Sequence, residues 1–154
     1  MTAREDFDKI ITDVTAFLAG RTLDQDLENV LNATYPADGA TFASLMQACE
    51  TGIAEGWLAN REQGGIRFGR VIKPSPATND YSVDVVLMDN VVGPHHRHTN
   101  GEIDVIMPLD DAAKFDGRGK GWLVYPAGHA HKPTVTGGKA IILYLLPGGA
   151  IEFT

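Results

Sequence analysis

The spacing of apolar side chains divides the chain into a helical first third and a strand-rich remainder. In the first third, apolar residues recur every three to four positions, which predicts amphipathic helices over residues 7–18 and 23–31 and a third helix after Pro36. We expect Gly20 and Gly56 to end the first and third helices, and Asp38 to cap the start of the third. Cys49 falls on the apolar face of the third helix, so we expect it to be buried and unreactive.

From Trp57 onward, short apolar runs alternate with segments rich in Gly, Pro and Asn. They predict strands over residues 66–72, 81–88, 102–107, 121–125, 140–146 and 150–153. In the second of these strands, Tyr81, Val83, Val85 and Leu87 lie on one face. Many short strands without intervening helices are typical of an antiparallel sandwich or barrel. We therefore predict a mainly β protein with one domain, in which a helical segment (1–56) packs on the outside of a barrel (57–154).

The charge distribution and the single cysteine narrow the possible partners and location. The formal net charge is −7, and residues 1–60 carry ten acidic but only three basic side chains. No basic stripe is present, so we do not expect nucleic acid as a partner. No apolar run approaches the roughly 18 residues of a membrane span. Because Cys49 has no partner for a disulfide and the N-terminus does not resemble a signal peptide, we expect a cytoplasmic protein. A homodimer that covers an open sheet edge is also expected.

All five histidines lie between positions 95 and 131. Side chains alternate along a strand, so His96 and His98 point the same way. A three-residue loop over 99–101 would place His98 opposite Glu102, and Asp104 would then share the same inward face. The spacing thus predicts a cluster of imidazole and carboxylate groups inside the barrel.

His131, which ends the second histidine segment, can reach the same cluster from a neighbouring strand. Three imidazoles and one carboxylate suit one divalent transition metal such as Fe, Mn, Zn, Ni or Co, with positions left open for water or substrate. The alternative is that these histidines are exposed strand and loop residues. We expect His95 to face away from the cluster, whereas His129 is either a hydrogen-bonding neighbour of the site or a surface residue.

Two motifs resemble the paired motifs of the cupin superfamily: His-x-His-x3-Glu at 96–102 and Pro-x-Gly-x2-His at 126–131. This resemblance implies a cupin-type antiparallel β-barrel, or jelly roll. Several longer segments are similar to the 4-hydroxylaminobenzoate lyase family, namely 60–62, 65–74, 93–98, 101–104, 132–135 and 145–153. The second resemblance implies conversion of 4-hydroxylaminobenzoate to 3,4-dihydroxybenzoate with release of ammonia. Because that reaction is redox-neutral, it needs no nicotinamide or flavin.

This reaction suggests roles for particular side chains. Glu102 and Asp104 are the predicted catalytic carboxylates, with Asp104 moving protons near the metal. A small aromatic carboxylate substrate requires a cation, and Arg70 alternates with apolar residues (Ile66, Phe68 and Ile72) on the face that we expect to point inward. The alternative for Arg70 is a structural ion pair on the barrel rim, with Arg61 or Arg67 as the next candidates. Tyr125, immediately before the second motif, and His129, within it, are the other predicted substrate contacts.

Two other functions are compatible with the same motifs. The ligand set could hold Fe(II) and activate oxygen, as in a cupin dioxygenase of small aromatic acids. The protein could instead be a non-enzymatic cupin that binds a small molecule.

Overall fold

The computed structural model describes residues 2–154, in which three helices precede the strands. The helices are α1 (Ala3–Leu18), α2 (Gln25–Thr34) and α3 (Ala40–Glu55). Within the described residues, no helix is both long and apolar enough to cross a membrane. Gly56 ends α3 in the left-handed conformation with φ 88°, as predicted. The prediction of Asp38 as the N-cap of α3 was wrong: Gly39 occupies that position, because a turn brings its N–H to the Pro36 carbonyl oxygen.

Ten short or medium-length strands follow the helices in the described chain. They are β1 (Arg61–Gln63), β2 (Ile66–Ile72), β3 (Tyr81–Val92), β4 (His96–His98), β5 (Glu102–Pro108), β6 (Lys114–Phe115), β7 (Gly121–Tyr125), β8 (His129–His131), β9 (Thr134–Pro147) and β10 (Glu152–Phe153). A larger sheet has the order β1-β2-β3-β9-β5-β7, with β6 also paired to β9, and a smaller sheet has the order β10-β4-β8. All pairings are antiparallel. Within residues 2–154, no hydrogen-bonded strand pair joins the two sheets into a closed barrel.

The larger sheet buries both of its faces, but against different partners. Its outer face packs on the three helices, and the shared cluster includes Phe7, Leu31, Phe42, Val83, Val85, Ile103 and Leu143. Its inner face forms a second cluster that includes Ile106, Phe115, Leu123, Ile142, Tyr144 and Leu146. Cys49 lies buried among the helices, as predicted. The helices therefore cover the outside of a β fold, which confirms the predicted architecture.

One row of the inner face carries polar side chains. Residues directly opposite each other in neighbouring strands share a face, and Arg70, Asp84, Tyr144 and Asp104 are opposite one another across β2, β3, β9 and β5. Arg70 thus lies on the predicted face. Ile72 does not, because a register shift after Arg70 pairs it with Val83 and packs it in the helix-facing cluster.

The chain changes sheets between the two halves of the first histidine motif. His98 was predicted to pair with Glu102 in a hairpin, but β4 pairs with β8 and β10, whereas β5 pairs with β7 and β9. The corner is turned by Gly101, whose φ of 89° lies in the predicted left-handed region. Gly101 also approaches the Tyr125 carbonyl oxygen closely, so that an added Cβ would lie 2.9 Å from it. The side chains of His98 and Glu102 still meet, because the two sheets face each other.

Helix α2 covers the free edge of the larger sheet at β7. The Asn32 amide bonds both the N–H and the carbonyl oxygen of Trp122, each at 3.0 Å. One turn earlier, Glu28 accepts the Val124 N–H at 2.9 Å and also contacts Arg118 at 2.6 Å. These polar side chains satisfy strand groups that would otherwise have no partner, and they fix the strand that leads to Tyr125.

Candidate metal centre

Three histidines and one glutamate converge between the two sheets. Each of His96, His98, Glu102 and His131 offers one ligand atom, and these four atoms lie within 4.8 Å of one another. Nε2 of His98 lies 2.9 Å from Oε1 of Glu102, and Nε2 of His131 lies 3.3 Å from Oε2. The structure therefore brings together the four residues that the sequence singled out as metal ligands.

Strand pairing explains this convergence. His96 is directly opposite His131 in the β4–β8 pair, so both side chains lie on the same face of the smaller sheet. His98 lies two residues from His96 and shares that face. Glu102 reaches the cluster from β5 of the opposing sheet, and its side chain is fully buried.

The hydrogen bonds around the cluster fit a bound cation. Nδ1 of His96 lies 3.2 Å from the Pro94 carbonyl oxygen, and Nδ1 of His131 lies 2.7 Å from Oδ2 of Asp116. Because both acceptors require an N–H, each Nε2 atom is left with a lone pair, yet the two Nε2 atoms lie 3.0 Å apart. Lone pairs at this distance repel each other unless a proton or a metal ion lies between them.

The remaining ligand atoms favour the metal ion over the proton. Although Nε2 of His98 and Oε1 of Glu102 lie 2.9 Å apart, neither ring nitrogen of His98 and neither carboxylate oxygen of Glu102 makes a hydrogen bond of good geometry within residues 2–154. Such orphaned buried atoms are costly, and one proton cannot satisfy all of them. A divalent ion at the centre would coordinate the three imidazoles and the Glu102 carboxylate together.

The pKa values of the ligand residues are shifted in different directions. Burial raises the pKa of Glu102, but contacts with His131 and His98 outweigh burial and lower the pKa to about 2. Burial lowers the pKa of His131, but the hydrogen bond to Asp116 and the nearby Glu102 carboxylate raise it to about 9. Burial, reinforced by the charges of His98 and His131, lowers the pKa of His96 to about 4. These shifts thus favour an ionised Glu102, a protonated His131 and a neutral His96 at neutral pH.

Asp104 lies on the same strand as Glu102 and is fully buried. Neither of its carboxylate oxygens has a hydrogen-bond partner in the described chain. Burial raises the pKa of Asp104 well above its usual range, and the neighbouring Glu102 carboxylate raises it further. Asp104 is therefore a carboxyl group held near the cluster without a structural partner.

Tyr125 and His129 form an aromatic pair beside the cluster. Their rings stack with centroids 3.9 Å apart and planes 5° from parallel. His129 lies opposite His98 in the β4–β8 pair, and its buried Nδ1 has no partner in residues 2–154. His95 is exposed and hydrogen-bonds the Thr154 hydroxyl, and it lies outside the group of ligand residues, as predicted.

Arg70 forms an ion pair, which was the alternative considered for it. Its Nε and Nη2 donate to the two oxygens of Asp84 at 3.0 and 3.1 Å, and Nη2 also donates to the Gly149 carbonyl oxygen at 3.2 Å. The side chain is one-third exposed (33%). Nη1 makes no hydrogen bond within residues 2–154, so the guanidinium keeps donors for a further anion.

Sequence reasoning missed Asp116. Its Oδ2 accepts hydrogen bonds from His131 Nδ1 and from the Tyr125 hydroxyl, both at 2.7 Å, and its Oδ1 accepts the Thr134 N–H at 2.9 Å. The only signal in the sequence was the Asp116-Gly117 dipeptide, a common turn former. Nothing in the spacing indicates its contact with His131.

Two antiparallel sheets that enclose three histidines and one glutamate form the cupin-type jelly-roll fold that the sequence predicted. Residues 9–153 match the family model PnbB, 4-hydroxylaminobenzoate lyase. The chain belongs to this family and is accordingly a lyase-type enzyme.

Two relatives and one solved structure illustrate these similarities. A 4-hydroxylaminobenzoate lyase of Nocardioides sp. (strain LMS-CY) is 35% identical over 146 residues, covering 88% of this chain and 86% of the relative. A protein of the same name from Pseudomonas putida is 30% identical over 170 residues, covering 99% and 97%. The crystal structure of the DMSP lyase DddQ from Ruegeria pomeroyi DSS-3 matches with a TM-score of 0.55 and 16% identity, covering 97% of this chain and 96% of that one. This last similarity shows a shared fold.

Proposed function

We propose that this protein is a metal-dependent carbon–nitrogen lyase that converts 4-hydroxylaminobenzoate, or a related hydroxylamino-aromatic acid, to 3,4-dihydroxybenzoate. Water enters and ammonia leaves, so the reaction is balanced without an external oxidant or reductant. The observation that carries the proposal is the group of four ligand atoms within 4.8 Å of one another, several of them buried without a hydrogen-bond partner, in a chain of the lyase family.

The four residues His96, His98, Glu102 and His131 would hold one divalent transition metal. When bound, such an ion supplies Lewis acidity at the reacting oxygen. Glu102 contributes the negative charge of the ligand set, and its low pKa keeps it ionised at neutral pH.

Asp104 is the candidate for proton transfer. Its carboxyl group faces the interior next to Glu102, and none of its oxygens is used by the fold. A carboxyl group in this position can hold a proton on Oδ1 or Oδ2 and pass it to a substrate atom, or take one from water. A purely structural aspartate would be expected to have partners, as Asp84 does in Arg70.

Tyr125, His129 and Arg70 are the candidates for substrate binding. The flat Tyr125–His129 pair offers a wall for an aromatic ring. Arg70 and Asp104 belong to one row and are separated by three strand spacings, about 14 Å between Cα atoms. The arginine side chain and a para-substituted ring can together span this gap. Nη1 of Arg70 would then bind the carboxylate while Asp84 keeps the guanidinium oriented.

The test combines metal analysis with a product assay. We expect the purified protein to contain about one equivalent of transition metal, to release ammonia from 4-hydroxylaminobenzoate together with 3,4-dihydroxybenzoate, and to stop doing so after chelation. His98→Ala should lose both metal and activity. The matched control is His95→Ala, which removes an exposed imidazole three residues away and should keep both.

Three results would contradict the proposal. Equal metal content in the two variants would show that His98 is not a metal ligand. Full activity of metal-free protein would show that the reaction does not need the metal. Oxygen consumption in step with turnover would favour a dioxygenase instead. The homodimer remains a prediction, which light scattering of the purified protein tests directly.

A further inference from the structure

Asp116 joins the candidate metal centre to the candidate substrate wall through one oxygen atom. Oδ2 accepts hydrogen bonds from both His131 Nδ1 and the Tyr125 hydroxyl, at 2.7 Å each. His131 belongs to the ligand group, and Tyr125 stacks on His129. A single carboxylate thus contacts the two parts of the site, although it belongs to neither.

The backbone around Asp116 holds this carboxylate in a fixed place. Asp116 has φ 50°, a left-handed conformation that is uncommon for residues other than glycine. Its N–H bonds the Thr134 carbonyl oxygen at 2.8 Å, and its Oδ1 accepts the Thr134 N–H at 2.9 Å. The adjacent residues Lys114 and Phe115 pair with β9. Both the backbone and the side chain of Asp116 are therefore anchored to the central strand β9, and the side chain is only 12% exposed.

The hydrogen bond to the Asp116 carboxylate determines which tautomer the neutral His131 ring adopts. A carboxylate can only accept a hydrogen bond, so the His131 nitrogen that faces it must carry a proton. In the neutral ring, which is the form that binds a metal ion, that proton leaves Nε2 as the atom with a free lone pair, aimed at Glu102 and His96. We propose that Asp116 is a positioning residue that fixes His131 as an Nε2 ligand and holds the Tyr125 hydroxyl on the same oxygen. The inference rests on the metal centre of the proposed function but not on the reaction.

Replacement of Asp116 by asparagine isolates this role. Asparagine has nearly the same shape and also tolerates left-handed backbone, but it has one acceptor oxygen and one donor NH2 group. If the oxygen accepts the Thr134 N–H, the NH2 group meets two donors, His131 and Tyr125. If the amide is flipped, the NH2 group meets the Thr134 N–H. Relief of the first clash requires His131 to move its proton to Nε2, where it blocks coordination.

The experiment measures metal affinity rather than turnover. Zn(II) dissociation constants are obtained by competition with a chelator for wild type, Asp116→Asn and the control Asp110→Asn. Asp110 also accepts a backbone N–H of β9 through its carboxylate, that of Lys139 at 2.7 Å, but it is not among the residues of the site. We expect Asp116→Asn to bind Zn(II) about 10- to 100-fold more weakly than wild type, and Asp110→Asn to bind it within threefold of wild type. Equal affinities for the two variants would overturn the proposal and leave Asp116 with a turn-forming role only.

A second measurement does not depend on the folding of any variant. In ¹⁵N NMR spectra of wild-type protein loaded with Zn(II), His131 should show a protonated Nδ1, protected from solvent exchange, and a metal-bound Nε2. Coordination through Nδ1, or an Nδ1–H that exchanges as fast as that of the exposed His95, would overturn the proposal. If the lyase reaction fails but these results hold, Asp116 retains its role and only the proposed substrate is wrong.

Discussion

Replacement of Asp104 by asparagine separates catalysis from folding and metal binding. The substitution keeps the shape of a fully buried side chain and removes its ability to carry a transferable proton. Neither carboxylate oxygen has a hydrogen-bond partner in residues 2–154, so no protein hydrogen bond is lost. We therefore expect the free energy of unfolding to fall by no more than about 1 kcal/mol below that of wild type, since no buried partner is left unsatisfied. A positioned proton-transfer group contributes about 10²- to 10⁴-fold to the rate, or about 2.7–5.4 kcal/mol of activation free energy.

The assay follows ammonia and 3,4-dihydroxybenzoate under saturating substrate, with metal content measured on the same samples. The control is Asp84→Asn, which lies in the same row of the sheet on the other side of Tyr144. It breaks the ion pair with Arg70 and should lower stability while it leaves proton transfer intact. Our reasoning is refuted if Asp104→Asn keeps its metal and retains kcat within threefold of wild type, or if it loses the metal along with the activity.

Three further predictions address binding, pH dependence and the chain corner. Arg70→Ala should raise KM for 4-hydroxylaminobenzoate about tenfold or more, because a charged hydrogen bond contributes about 1.5–3 kcal/mol. The effect on KM for the uncharged amide analogue should be much smaller. An equal effect on both compounds would show that the loss of the ion pair with Asp84 is responsible instead. Burial raises the pKa of Glu28, but hydrogen bonds from a β7 backbone N–H and from side chains outweigh burial and lower it. The resulting stability is present above the ordinary pKa of glutamate and is lost as the pH falls through the lowered value. In urea unfolding, Glu28→Gln should therefore be about 1–2 kcal/mol less stable than wild type at neutral pH. This difference in stability should narrow in acid, and a difference that widens would contradict the prediction. Gly101→Ala should lower the unfolding temperature and weaken Zn(II) binding, because the residue has φ 89° and its new Cβ would lie 2.9 Å from the Tyr125 carbonyl oxygen; unchanged values for both would show that the corner tolerates a side chain.

Most of the ligand group was predictable from the sequence because His96, His98 and Glu102 are close in the chain, and His131 ends a second histidine segment. Alternation alone places His96 and His98 on one face. The route by which Glu102 reaches them was not predictable, because a hairpin and a change of sheet both fit a loop that contains a left-handed glycine. The predicted pairing was wrong, although the side chains still meet at 2.9 Å.

Contacts between distant segments account for most of what the sequence did not indicate. Alternation assigned Arg70 to the correct face, but its pairing with Asp84 follows from the register of β2 on β3. The register shift that moves Ile72 to the other face has no clear signal in the residues around it. Asp116 reaches His131 only because β6 pairs with β9, and a two-residue strand is too short for periodicity to reveal.

Helix α2 determines which border of the larger sheet is open to other chains. A bare border strand is a template on which another polypeptide can add itself. The amide of Asn32 and the carboxylate of Glu28 already occupy the outward-facing groups of β7, so this border is closed to strand addition. The opposite border, β1, is exposed along its whole length. Of these two borders, β1 is therefore the one open to an added strand, and it lies on the side of the sheet away from Tyr125 and Glu102.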